Sequence, residues 1–393
     1  MKVCLASFHC CIRVVKEMIA LNKAGVETIT LCHHMANADL QYLHSNIVYY
    51  TDQYDYRAKL ERLRDIQLIH VHNEPDWLGR VARNSRPDLP VIFDAHDLNS
   101  VRLGWVEEDE AFVFKHCDGF IFPSQGYYDL CVSNFGLNPE ACSVIYSMNS
   151  EDHVINVPKA RMNGIVYEGG LSAPNPEDHG SIDYMARDMR EVCGLSFRHG
   201  IPFVIFGANG EYINEYVPTG AMCLPPSHYE YMMSELSRFD WGFIGNTKTC
   251  SQRKYAMPNK LFEYVAAGIP VIAMNAQECG EFVEKNELGI HVSSFQELLD
   301  RYNEHKRLRE IVKEKKSLLT MESQVEEIFK VYDEARREHE DEIQAGRPFL
   351  VGASGLGQRR GRVCTRTKDC GCAFCEGISR EARVRVPAGQ DLC

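Results

Sequence analysis

Through the first 150 residues, short apolar runs that end in polar residues alternate with helix-length amphipathic stretches. Val3–Ser7 reads as a strand. Ile12–Ala24 carries apolar residues at helical spacing and is closed by Gly25, as a C-capping glycine would close it. Val26–Leu31, Leu68–His72, Val91–Asp94, Gly119–Pro123 and Ser143–Tyr146 are further strands. The runs at Leu68–His72 and Val91–Asp94 are continuous rather than alternating, the pattern of parallel strands covered on both faces. Strands separated by helix-length segments predict βαβ units and a doubly wound sheet.

The series then restarts. Gly164–Glu168, followed by Gly169 and Gly170, and Pro202–Phe206, followed by Gly207-Ala208-Asn209-Gly210, open a second parallel set that Trp241–Ile244 and Pro270–Met274 continue. The polar segment 158–163 between the two series is the expected hinge. The pattern thus predicts an α/β chain of two Rossmann-like domains, 1–157 and 164–315. A charged helix over 316–345 is expected to cross back to the first domain. After Gly346, Gly, Arg and Cys replace periodic apolar residues, and 346–393 reads as a flexible basic appendage.

A length of 393 residues suits two cores better than one. No run reaches the length of a membrane span, and Met1–Ser7 turns polar too soon for a signal peptide, so a cytoplasmic location is expected. The sixteen cysteines then read as reduced thiols, because Cys4, Cys32, Cys193 and Cys223 lie inside apolar runs. The net charge of −12 is uneven: residues 346–393 hold nine Lys and Arg against four Asp and Glu, leaving −17 on the rest. Such a body repels nucleic acid and disfavours it as a partner; peripheral membrane contact stays open.

Pro258-Asn259-Lys260-Leu261-Phe262-Glu263-Tyr264 carries the most chemistry. Pro258 and Asn259 read as the start of a helix that Gly268 ends, ahead of the strand at Pro270. Unpartnered N–H groups at that helix tip, with the Lys260 ammonium, form an anion site suited to a diphosphate. Glu263 lies one turn further along the face of Asn259, where a carboxylate accepts two hydrogen bonds from the vicinal hydroxyls of a ribose. An ordinary surface glutamate on an αβ connection fits the spacing equally well.

The run Pro258–Ile272 resembles the donor-binding segment of the family 4 (group 1) retaining nucleotide-sugar glycosyltransferases. Leu68–Asn73, Val91–Asp97, Phe120–Ser124 and Ile165–Gly170 resemble other strand ends of that family, over about residues 1–335. The resemblance implies a GT-B fold, two Rossmann-like domains facing a cleft. It implies metal-independent, retaining transfer from a nucleotide-diphosphate sugar to a glycan, lipid-linked or other acceptor, with no cofactor. His96 and Lys260 then become the catalytic candidates. Donor binding falls to Glu263, Asn259, Pro258, Lys260, Gly169, Gly170, Gly207 and Arg253. Phe8, His9, Asn73 and Glu74 stand on the acceptor side. The chain departs from the family at Tyr255, where a first glutamate is common. It also lacks the usual basic pair over Gly169–Gly180, where His179 is the sole candidate and Lys260 and Arg253 are the substitutes.

Two other functions are compatible with these residues: a non-catalytic binder of nucleotide sugars or glycans, and a GT-B-fold sugar-nucleotide epimerase. No metal site is expected in the core. In the tail, Cys364, Cys370, Cys372 and Cys375 are four thiols within twelve residues, a candidate zinc set whose spacing is cramped for the usual paired knuckles.

Overall fold

The apolar runs become strands, and every strand lies parallel to its neighbours. The computed structural model describes residues 1–171, 187–207 and 210–345. The first sheet contains β1 (Lys2–Cys10), β2 (Glu27–Met35), β3 (Ile47–Tyr49), β4 (Leu68–His72), β5 (Val91–Asp94), β6 (Gly119–Phe122) and β7 (Cys142–Val144). Their order is β3-β2-β1-β4-β5-β6-β7. The second contains β8 (Ile165–Glu168), β9 (Phe203–Phe206), β10 (Met222–Leu224), β11 (Trp241–Gly245), β12 (Val271–Met274) and β13 (Gly289–Val292), in the order β10-β9-β8-β11-β12-β13. The strand order reverses at β1/β4 and again at β8/β11. Crevices outside the carboxyl ends of such strand pairs are where open α/β sheets hold ligands.

The pattern missed three strands, β3, β10 and β13, and all three are sheet edges of three or four residues. An edge strand pairs on one side only, and β3 and β10 stay partly exposed, so neither needs a continuous apolar run.

The Val325–Gln344 helix packs on the first sheet. Its Tyr332 hydroxyl lies 2.8 Å from His70 Nδ1, and its His339 lies 3.3 Å from Asp118. The 158–163 segment is tied to the second half: Lys159 pairs with Glu235, Arg161 with Asp240, and the Met162 N–H donates to the Arg238 carbonyl at 2.8 Å. Among the described residues the cysteines are all free thiols, seven of the eleven buried, and no helix is long and apolar enough to cross a membrane.

One glycine in β11 fixes the site's floor. A Cβ on Gly242 would lie 2.1 Å from the Tyr264 ring, so only glycine lets that ring lie against the strand. The Tyr264 hydroxyl then accepts from the Glu168 N–H at 3.0 Å and donates to the Phe243 carbonyl at 3.3 Å. This one side chain locks the Asn259–Ala266 helix to the end of β8.

Candidate active site

The second helix after β11 runs Asn259–Ala266, and Pro258 precedes it in extended conformation without a side-chain cap. The N–H groups of a first turn have no partners inside the helix, and here they face a cavity of about 430 Å³ together with Pro258, Asn259 and Lys260. Gly169 and Gly170, at the end of β8, form the opposite wall. Gly169 sits at φ +122°, and a Cβ there would lie 2.7 Å from Lys260 Nζ. The absent side chain therefore makes room for the ammonium, which lies 4.1 Å from the Tyr167 ring centre in cation–π geometry. The Tyr167 hydroxyl in turn donates to the Gly170 carbonyl at 2.8 Å.

Glu263 reaches the cavity from one turn inside the helix and is almost fully buried. Its Oε1 accepts from Lys16 Nζ at 3.4 Å and from the Tyr229 hydroxyl at 3.1 Å. A hydrogen bond with the Glu168 carboxyl engages it further. Burial works against its ionisation, but Lys16, then Glu168 and Tyr229, outweigh burial and hold Glu263 below the usual carboxylate range. Glu168 moves the other way. Burial, reinforced by the Glu263 charge and opposed by Lys260, raises it well above an ordinary glutamate, so it keeps its proton and donates it to Glu263. A carboxylate has about four acceptor positions, and Lys16, Tyr229 and Glu168 fill three. One acceptor position of Glu263 is left over, fewer than the two bonds expected of it from the sequence.

Two further cations face this space. Arg253 lines it from the short helix Ser251–Tyr255, with one nitrogen on the Lys248 carbonyl at 2.7 Å. Arg187 lines it beside Gly170, where a Cβ would come within 3.3 Å of its Nη1. The basic pair common in the family is missing over Gly169–Gly180, and Arg187, seven residues further on, supplies a cation at this wall. His179 lies outside the described residues, as do Ala208 and Asn209 of the glycine turn after β9. Gly207 itself is described and is not part of the cavity wall.

The first half contributes Ile12 and Asn37 to the wall, but not His96. His96, expected to be catalytic, lies outside the residues that line this cavity. Its Nε2 lies 3.1 Å from His72 Nδ1 and its Nδ1 lies 3.9 Å from the Cys11 sulfur, and burial pulls the ring well below its usual value, leaving it neutral. Asn73 is buried rather than open to an acceptor: its Oδ1 takes the His96 N–H at 2.6 Å and its Nδ2 donates to the Asp97 carbonyl at 2.6 Å. Glu74 is ion-paired with Arg102. Phe8 and His9 do reach the surface at the end of β1, where Phe8 stacks on His33 at 4.5 Å and His9 packs edge-on against His34.

Sequence reasoning missed Lys16, Tyr229 and Glu168. Lys16 sits with Arg13 and Glu17 on the Ile12–Lys23 helix, and all three are buried. Three charges inside an apolar periodic stretch were the available signal. Residues 346–393, with Cys364, Cys370, Cys372 and Cys375, lie outside the described residues.

Residues 18–148 match the family model of Glycosyltransferase Family 4, and residues 197–327 match that of the Glucosyltransferase 3-like C-terminal domain. No curated protein matches the chain. Among solved structures, HepE of Anabaena in complex with UDP is similar at TM-score 0.61 and 13% identity, covering 84% of this chain and 99% of that one. A glycosyltransferase from Rickettsia africae is similar at TM-score 0.62 and 10% identity, over 86% and 99% of the two chains. An α-glucosyltransferase in complex with UDP and a 13-mer DNA is similar at TM-score 0.62 and 12% identity, over 85% and 99%. The two parallel sheets are those of the GT-B fold.

Proposed function

We propose that this chain, a glycosyltransferase of the GT-B fold, takes its sugar from a nucleotide-diphosphate sugar bound in the cavity between its two sheets. One observation carries the reading. The open helix tip with Lys260 and the carboxylate of Glu263 line the same 430 Å³ cavity one helical turn apart. A diphosphate at the tip, next to Lys260, Arg187 and Arg253, places the ribose one turn deeper against Glu263. Asn259, Pro258, Gly169 and Gly170 shape the walls. Charge that develops on the leaving diphosphate meets fixed cations and helix N–H groups, which is catalysis by a preorganised field. Lys260 is the residue we place at the leaving group. Gly207 and His96 have no assigned part in the transfer.

Uridine is the base to test first, since HepE and the α-glucosyltransferase were solved with UDP. Retention at the anomeric carbon, independence from a metal ion in the transfer step, a cytoplasmic location, and a glycan or lipid-linked acceptor belong to the same reading. The side chains of Phe8 and His9 offer the acceptor an aromatic surface.

A second reading, a nucleotide-sugar binder without turnover, is favoured by the three groups that already occupy Glu263. Incubation with a panel of nucleotide sugars and candidate acceptors separates the two. Free nucleotide released only when acceptor is present supports transfer. Saturable binding without release under every acceptor supports the binder, and binding of no nucleotide sugar sinks both.

A further inference from the structure

Away from the cavity, the first sheet buries a second cluster that the transfer does not use. His70 and His72 are two apart on β4 and therefore share one face; their rings stack with centres 4.3 Å apart. Asp94 pairs with His72 across the β4–β5 ladder, and Glu17 reaches the same face from the Ile12–Lys23 helix. One ligand atom from each of the four lies within 4.8 Å of the others, and all four residues are at most 1% exposed.

Their possible ligand atoms lie close to one another. His70 Nε2 lies 3.8 Å from Glu17 Oε2 and 3.7 Å from Asp94 Oδ2, and His72 Nε2 lies 3.9 Å from Glu17 Oε2. His70 Nε2, His72 Nε2 and Glu17 Oε2 are buried without a hydrogen-bond partner. The other ring nitrogen of each histidine is held, His70 Nδ1 by the Tyr332 hydroxyl at 2.8 Å and His72 Nδ1 by His96 at 3.1 Å. One ring nitrogen anchored and the other free is the arrangement of metal-ligating histidines. Arg13 lies against both carboxylates, 2.9 Å from Asp94 Oδ2 and 3.1 Å from Glu17 Oε1.

We propose that Glu17, His70, His72 and Asp94 form a closed, structural site for one divalent transition-metal ion of the zinc class. Imidazole and carboxylate suit such an ion, and ligand bonds of about 2.0–2.2 Å set tetrahedral ligands roughly 3.3 Å apart, so the four ligand atoms, within 4.8 Å of one another here, draw together around the ion. Four protein ligands leave no open position, so the ion takes no part in the transfer. It fixes the Nδ1–H form of His72, whose proton then goes to His96 Nε2 at the mouth of the first sheet. The competing occupant is a proton on Glu17.

The test uses the full chain with Cys364, Cys370, Cys372 and Cys375 changed to Ser, so that tail thiols do not contribute. Chelator-treated protein is loaded with Zn²⁺ or Co²⁺, desalted and measured for metal content. One equivalent per chain is expected, with a tetrahedral Co²⁺ spectrum lacking a thiolate charge-transfer band. His70→Gln and Glu17→Gln in this background should each weaken Zn²⁺ binding at least tenfold. Without metal, Glu17→Gln should unfold no earlier than its parent, since glutamine keeps the shape and neutrality of a carboxyl that holds a proton there. No stoichiometric metal, a thiolate band, or unchanged binding in Glu17→Gln would overturn the site. If His70→Gln does not fold, the Co²⁺ spectrum and Glu17→Gln decide.

Discussion

The Lys16 ammonium lies 3.4 Å from the Glu263 carboxylate, and both side chains are almost wholly buried. Lys16 belongs to the helix after β1 and Glu263 to the second helix after β11, so this pair joins the two halves at the floor of the donor cavity. Lys16 also donates to the Ser147 carbonyl at 3.2 Å, which fixes its position independently of Glu263. The carboxylate proposed to receive the ribose is therefore oriented by the opposite domain, and the site is complete only when the halves are together.

Breaking the pair should affect stability and binding differently. Removing one partner of a buried ion pair costs about 3–5 kcal/mol, because the other charge is left alone. Glu263→Gln and Lys16→Met should each lose stability on that scale in urea titrations, and the double variant should recover most of it. UDP affinity should not follow the same pattern. A hydrogen bond to a charged group is worth about 1.5–3 kcal/mol, so Glu263→Gln and the double variant should both bind UDP roughly 10- to 100-fold more weakly by calorimetry. Full affinity in the stable double variant would make Glu263 a domain tie and nothing more.

Gly169 and Lys260 provide a second test. An alanine at Gly169 would meet the Lys260 ammonium at 2.7 Å, on a backbone at φ +122° that L residues rarely adopt. Gly169→Ala should displace the ammonium and reproduce the binding defect of Lys260→Met. Both should weaken UDP about tenfold while leaving uridine almost unchanged, because the lost contact is to phosphate. Equal losses for UDP and uridine would place Lys260 elsewhere than at the diphosphate.

The Pro258–Tyr264 site could be read locally because a helix start, a lysine and a glutamate one turn on are all set by spacing within one segment. Lys16, Arg187 and Tyr229 could not. Arg187 and Tyr229 line the cavity, and Lys16 reaches Glu263 behind its wall, because distant elements pack there, and nothing next to Lys16 in the chain says that the second half will bury it. His96 shows the converse. Its place just past a parallel strand was read correctly from the sequence, yet whether its ring faces a ligand or His72 depends on Asn73 and Cys11. The two parallel sheets were legible from uninterrupted apolar runs, and the edges failed where one-sided pairing relaxed that requirement.

The proton shared by Glu168 and Glu263 predicts a pH dependence. Burial and the Glu263 charge raise Glu168 well above the ordinary glutamate value of 4.5. The folded state therefore favours its protonated form. That stabilisation is fully present below the ordinary value and is lost as pH rises through the raised one. Above that point Glu168 ionises against Glu263, beside the place proposed for an anionic diphosphate. Wild-type affinity for UDP should then fall by about one decade per pH unit, the limit for linkage to one proton. Glu168→Gln keeps a neutral donor toward Glu263 and removes this titration, so the only pH dependence it keeps at this pair is that of UDP itself. Its affinity should stay level on the alkaline side, where it should also melt above wild type. Parallel affinity profiles for the two proteins across that range would mean that Glu168 does not hold the proton that binding requires.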